Sequence, residues 1–119
     1  MRPPARGGGP METMNGPILV TGATGLVGAN ICQIAAERGL RLRALVRDGT
    51  EVEGLAELDL EIVDGDITVA DDVARAASGV RGIIHTAALV AGIWPKSMAA
   101  DNERANVGGT VNVLVAAAP

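Results

Sequence analysis

The stretch Ile18-Leu19-Val20-Thr21-Gly22-Ala23-Thr24-Gly25-Leu26-Val27-Gly28 constrains this chain more than any other. A short apolar strand runs into a turn with glycines at 22, 25 and 28, and the turn runs directly into an amphipathic helix. Gly22 lets the chain turn sharply off the strand. Gly25 lets the backbone approach a bound group with no Cβ in the way, and Gly28 lets the helix lie close to the strand. The helix N-terminus, with unpaired N–H groups and the positive end of its dipole, then faces whatever sits over Thr24 to Val27. A pyrophosphate is the natural occupant. A glycine-rich strand-to-helix turn with no ligand is the alternative. The Ile-Leu-Val strand before the turn, and a helical face at Val27, Ile31, Ile34, Ala35 and the stem of Arg38 after it, favour a dinucleotide site.

The rest of the chain repeats the strand-then-helix pattern. Residues 1–16 are rich in Arg, Pro and Gly, lack the apolar core of a signal peptide, and read as a disordered tail. Residues 17–119 read as the N-terminal part of a dinucleotide-binding domain. After the first helix, which Gly39 stops, the second strand is expected over Arg41–Arg47. A short, glycine-weakened helix is expected over residues 50–58. The third strand, Leu60–Val63, ends at Asp64-Gly65-Asp66. Thr68 and Asp71 approximate a capping box that opens a helix through Val73, Ala76 and Ala77 to Gly79. Gly82–Thr86 reads as a fourth strand and Ala87–Pro95 as a loop. A last helix is expected from about Ser97 to Ala118, with Val107, Val111, Leu114, Val115 and Ala118 on one face. This alternation predicts an α/β fold: a partial Rossmann fold with a parallel sheet in the order 3-2-1-4 and helices on both faces.

Composition narrows the function. Aromatic residues make up 1% of the chain against 48% hydrophobic residues overall, which suits a helix-covered parallel sheet better than a β-sandwich. The net charge is −4 with scattered basic residues, so a nucleic-acid surface is not supported. No run is long enough to span a membrane. The single cysteine, Cys32, cannot form an internal disulfide; it favours a reducing, cytoplasmic setting and reads as small core filler.

Four ordered segments carry a family resemblance. Thr21-Gly22-Ala23-Thr24-Gly25-Leu26-Val27-Gly28 resembles the nucleotide fingerprint of the extended short-chain dehydrogenases/reductases, the epimerase–dehydratase family. Val63-Asp64-Gly65-Asp66-Ile67-Thr68 is similar to its third-strand motif, and His85-Thr86-Ala87-Ala88 to its fourth-strand motif. Asn106-Val107-Gly108-Gly109-Thr110-Val111-Asn112-Val113-Leu114 is similar to its N-V-x-G-T-x-N-x-L helix. Within the family, Ala44-Leu45-Val46-Arg47-Asp48 is most similar to the dihydroflavonol-reductase and hydroxysteroid-dehydrogenase-like branch.

The resemblance implies a cofactor site made of Gly22, Thr24, Gly25, Leu26, Val27, Gly28, Arg47, Asp66, Ile67, Thr86, Ala87, Ala88 and Asn106. Asp66 would receive the adenine amino group, as its acceptor-only chemistry allows, and would also suit a helix entry. Arg47 ends the second strand about 20 residues after the fingerprint, where an acidic residue would hold the ribose diol of NAD. A guanidinium there suits the 2′-phosphate of NADP, with NAD as the alternative cofactor and a solvated arginine as the bland one. His85 reads as structural rather than as a general base. Thr86, Ala87 and Ala88 would line the nicotinamide side through backbone and small size. Asn106 would support the catalytic lysine and cofactor through water. Trp94 suits substrate contact or loop packing equally.

The family's chemistry uses a Tyr-x-x-x-Lys pair, the tyrosine as acid/base and the lysine lowering its pKa. This sequence has no tyrosine, and its one lysine, Lys96, lies elsewhere. It therefore reads as the NADP(H)-binding part of a reductase or epimerase acting on a small carbonyl, hydroxyl or nucleotide-sugar substrate, with no catalytic residue of its own. A non-catalytic nucleotide-sensing protein and an inactive remnant are the alternatives. The fourth strand would then present an unpaired edge prone to dimerisation or aggregation, and the helix face around Val111, Leu114 and Val115 would be partly wet.

Overall fold

The computed structural model describes residues 15–47, 53–87 and 99–118. Most of the expected tail, the start of the expected 50–58 helix, Ala88, Trp94 and Lys96 lie outside the described residues. Four strands, β1 (Ile18–Thr21), β2 (Leu42–Val46), β3 (Glu61–Asp64) and β4 (Gly82–His85), form one parallel sheet in the order β3-β2-β1-β4. Ile18 stands opposite Leu42 on one side and Gly82 on the other, and Arg43 opposite Glu61. Between and after them run α1 (Leu26–Glu37), α2 (Glu53–Ala56), α3 (Ala70–Ala76) and α4 (Ala99–Glu103). A π-helical turn (Arg104–Gly108) then leads into α5 (Gly109–Ala117). This is the partial Rossmann α/β sheet that the sequence pattern predicts.

The period-2 alternation of the central strands divides the core in two. Val20, Leu42, Ala44 and Val46 face α1 and α2, where Cys32, Ala35 and Leu55 complete one cluster. Leu19 and Leu45 face α3 and α5, where Val73, Ala76, Val80 and Val113 complete the other. Cys32 is fully buried, in the core-filling role expected of it. Arg43 breaks the apolar run of β2 but leaves no unpaired charge. Its Nε lies 2.8 Å from Glu61 Oε2, and its Nη1 donates to the carbonyls of Ala76 and Ser78, each at 2.7 Å, at the C-terminal end of α3. The sequence reading missed this cap.

Both long helices turn several of their apolar residues away from the core, though Ala35, part of the expected face of α1, is buried. On α1 the buried residues are Gly28, Cys32 and Ala35, whereas Val27 and Ile34 are more than half exposed. The cause is the turn. A Cβ on Gly28 would lie 2.0 Å from the Gly22 carbonyl oxygen, so the helix rests its glycine against the turn, and positions 28, 32 and 35 share that face. The C-terminal helix is interrupted by the π-helical turn and buries Gly109 and Val113, not Val107, Val111, Leu114 and Val115. Its rotation is set by contacts of Gly109, Thr110 and Asn112, described below. The expected capping box is also absent. Val69 holds the N-cap position of α3, and both the N–H and the hydroxyl of Thr68 donate to Asp66 Oδ1, at 2.8 and 2.7 Å. The carboxylate of Asp66 takes the donors that a cap would have used.

Candidate functional site

Apart from Asn106, which stands in the π-helical turn, the expected cofactor residues that are described gather at the C-terminal ends of the strands. Gly22 to Gly28 follow β1, Arg47 follows β2, Asp66 and Ile67 follow β3, and Thr86 and Ala87 follow β4. In open parallel sheets this end, on either side of a central strand whose neighbours connect in opposite directions, is where ligands bind.

The three glycines of the turn have different reasons to be glycine. Gly22 adopts φ +74°, and a Cβ there would lie 2.5 Å from Thr86 Oγ1 and 2.6 Å from the Ala87 nitrogen. Gly28 is forced by the Gly22 carbonyl. Gly25 is forced by nothing among the described residues. Its φ of −79° suits any residue, and a Cβ would meet only the Gly22 oxygen at an ordinary 3.4 Å. It forms the N-cap of α1, with no side-chain hydrogen bond to cap the helix and no acidic residue in the first turn. Leu26 and Val27 beside it are exposed, Leu26 by 83%. The residues present thus fit an anion resting on the backbone at Gly25, which a side chain there would displace.

A directed chain of hydrogen bonds ties β1, β4 and the π-helical turn together. Thr110 donates its hydroxyl to the Asn106 carbonyl at 2.6 Å, so toward His85 Nε2, 3.1 Å away, it can only accept. His85 therefore carries a proton on Nε2, and its Nδ1 lies 2.6 Å from Thr21 Oγ1, whose own proton points to it and leaves the ring neutral because that oxygen is already an acceptor. Thr21 Oγ1 in turn accepts from the Thr86 and Ala87 N–H groups, at 3.1 and 3.2 Å. Burial pushes the His85 pKa down, in keeping with a neutral ring. His85 thus serves as a structural strut, as the sequence suggests. The π-helical turn is closed by the Gly109 N–H reaching back to the Arg104 carbonyl.

On the other side of the switch point, Thr68's two hydrogen bonds hold the Asp66 carboxyl below the usual carboxylate range, with the charges of Arg47 and Arg104 adding to the effect against burial. The Asp66 N–H donates to Asp72 Oδ2 at 2.9 Å. Oδ1 is committed to Thr68, and Oδ2 has no partner among the described residues. Sequence reasoning passed over Thr21, Arg104, Thr110 and Asn112. Thr110 and Asn112 lie inside the quoted helix motif without an assigned role. Thr21 opens the quoted fingerprint, but its partners His85, Thr86 and Ala87 come from a distant segment, whereas Arg104 pairs locally with Asp101.

Comparison with known proteins agrees with this geometry. Residues 18–119 match the model of the NAD dependent epimerase/dehydratase family. The chain is 37% identical over 108 residues to a 3 beta-hydroxysteroid dehydrogenase/Delta 5-->4-isomerase of Mycobacterium tuberculosis, a match covering 87% of this chain and 29% of that protein. It is 39% identical over 98 residues to a putative dihydroflavonol 4-reductase of Synechocystis, covering 82% of this chain and 28% of that one. Among solved structures it is similar to a short-chain dehydrogenase/reductase superfamily protein from Agrobacterium tumefaciens with bound NAD. That match has 26% identity and a TM-score of 0.69, over 84% of this chain and 28% of that one. The chain thus spans under a third of the length of each of these proteins. The glycine turn, its seat on the first strand and a family match running from that strand onward lead to one assignment: the chain belongs to the NAD-dependent epimerase/dehydratase family.

Proposed function

We propose that this chain is the NADP(H)-binding portion of an extended short-chain reductase or epimerase that acts on a small carbonyl, hydroxyl or nucleotide-sugar substrate. The observation that carries the reading is Gly25, a glycine that no contact among the described residues requires, at an uncapped helix N-terminus beside the central strand. The pyrophosphate would rest on the backbone of Thr24 to Val27. Asp66 Oδ2 would accept the adenine amino group, next to Ile67. Thr86, Ala87, Ala88 and Asn106 would border the nicotinamide half. When bound, the dinucleotide supplies hydride chemistry; the chain's own residues bind and orient it. The NAD-bound relative supports a dinucleotide, and the exposed Arg47, whose charge reaches Asp66, supports the phosphorylated form. The absence of tyrosine favours cofactor binding without turnover by these 119 residues, and the buried Cys32 thiol suits a reducing cytoplasm.

Calorimetric titration with NADPH and NADH tests the reading. Arg47→Ala is expected to weaken NADPH roughly ten- to a hundredfold, the equivalent of one charge-assisted hydrogen bond, while leaving NADH nearly unchanged. Equal losses for both cofactors would assign Arg47 to packing instead.

A further inference from the structure

Asn112 stands in the middle of α5, where asparagine is a poor helix former and a solvent-facing side chain would gain nothing. Its side chain is half-buried, and its Nδ2 donates to the main-chain carbonyl of Ile67 at 2.9 Å, across 45 residues of sequence. One turn earlier Gly109 is buried, and a Cβ there would come within 2.9 Å of Ile67 Cγ1. The helix therefore grips Ile67 twice, by its carbonyl and by its side chain. Ile67 is the middle residue of the Asp66–Thr68 turn, whose other fastenings are the Asp72 carboxylate on the Asp66 N–H, the Val69 N–H on the Asp66 carbonyl and the two Thr68 bonds to Asp66 Oδ1. Those fastenings all come from α3, its N-cap Val69 or the turn itself. Among the described residues Asn112 supplies the one hydrogen bond to this turn from a separate element.

We infer that Asn112 is a positioning residue for the adenine subsite: by holding the Ile67 carbonyl it fixes the Asp66 carboxylate relative to the end of the sheet. The inference rests on the dinucleotide reading above. Helix α5 then serves both halves of the cofactor groove, since Thr110, two residues before Asn112, braces His85 at the end of β4. Without the amide, the Ile67 carbonyl loses its partner, and the turn is left to fastenings that move with it.

Asn112→Leu removes the donor while keeping the side chain's size and suiting a helix; Asn112→Gln keeps an amide donor on a longer arm. The probes are adenosine monophosphate for the adenine side and nicotinamide mononucleotide for the other, followed by NMR titration of the full chain. Amide exchange at Asp66 and Thr68 is read without ligand. Asn112→Leu is expected to weaken adenosine monophosphate roughly three- to tenfold and to leave nicotinamide mononucleotide unchanged. Exchange should quicken at Asp66 and Thr68 but not in β1, and Asn112→Gln should recover part of both effects. Unchanged adenosine monophosphate affinity, or equal loss of both probes with faster exchange throughout the sheet, overturns the positioning role. A wild-type chain that binds nicotinamide mononucleotide but not adenosine monophosphate overturns the adenine subsite itself, and the role of Asn112 with it.

Discussion

At the scale of single residues, the proton on His85 is the most exposed part of the account to a simple test. Neutral His85 completes a chain in which every hydroxyl gives one hydrogen bond and every acceptor is used. A second ring proton, on Nδ1, would face the Thr21 hydroxyl, which already accepts two N–H groups and would lose its own acceptor. The folded-state pKa is lowered, so the unfolded chain takes up the proton first. Stability is full above the ordinary imidazole value of about 6.5 and falls as pH drops from there toward the depressed folded value. His85→Gln, which keeps a donor toward Thr110, is expected to flatten that part of the pH profile of urea midpoints. Asp66, also lowered, contributes stability that is present above the ordinary carboxylate range and lost as pH falls through its own folded value, in a separate, more acidic window. A wild-type profile flat between about pH 7 and 5 would contradict the neutral strut.

Elements show where sequence and structure part company. Arg43 joins β2 to both β3 and α3, and its side chain is only 16% exposed. Arg43→Ala removes the ion pair to Glu61 and leaves the Ala76 and Ser78 carbonyls without that donor. The expected loss is about 2 kcal/mol of unfolding free energy, read by urea denaturation. Strand order, the parallel sheet and the glycine turn were legible because each follows from local pattern and right-handed connections. Helix rotation was not. Hydrophobic periodicity put Val27, Ile34 and Ala35 on one face of α1, yet Val27 and Ile34 are more than half exposed and Ala35 is buried, while Val111, Leu114 and Val115 of α5 are 50 to 70% exposed, as the partly wet face expected there. On both helices the inward face is instead set by a glycine at close approach, Gly28 against Gly22 and Gly109 against Ile67. On α5 two polar side chains reinforce it. Such contacts join segments dozens of residues apart, and no local period records them. The Asp66 turn was legible as the end of the third strand, but not as the competitor that denies Thr68 its cap.

The whole molecule presents two apolar features together. Among the described residues β4 pairs only with β1, so Gly82-Ile83-Ile84-His85 forms one edge of the sheet. On α5, which contacts β4, Val111, Leu114 and Val115 are 50 to 70% exposed. Edges and faces of this kind favour pairing between chains. Sedimentation velocity on the 119-residue chain is expected to show mass rising with concentration, and a monomer at every concentration would contradict this.

The central claim, that the turn after β1 holds a dinucleotide phosphate, has its sharpest probe in Gly25. Gly22→Val would strain a φ of +74° and collide with Thr86, so lost binding there could be lost folding. Gly25→Val meets neither obstacle, since its backbone is extended and the nearest atom to the new Cβ is at 3.4 Å. The decisive measurement is calorimetric titration of NADPH into wild-type and Gly25→Val chains, with thermal melting of both as the control for folding. The account predicts melting temperatures that agree and an affinity at least about tenfold weaker in the variant, because the side chain occupies the phosphate's place. Unchanged NADPH affinity in a folded Gly25→Val chain would contradict it.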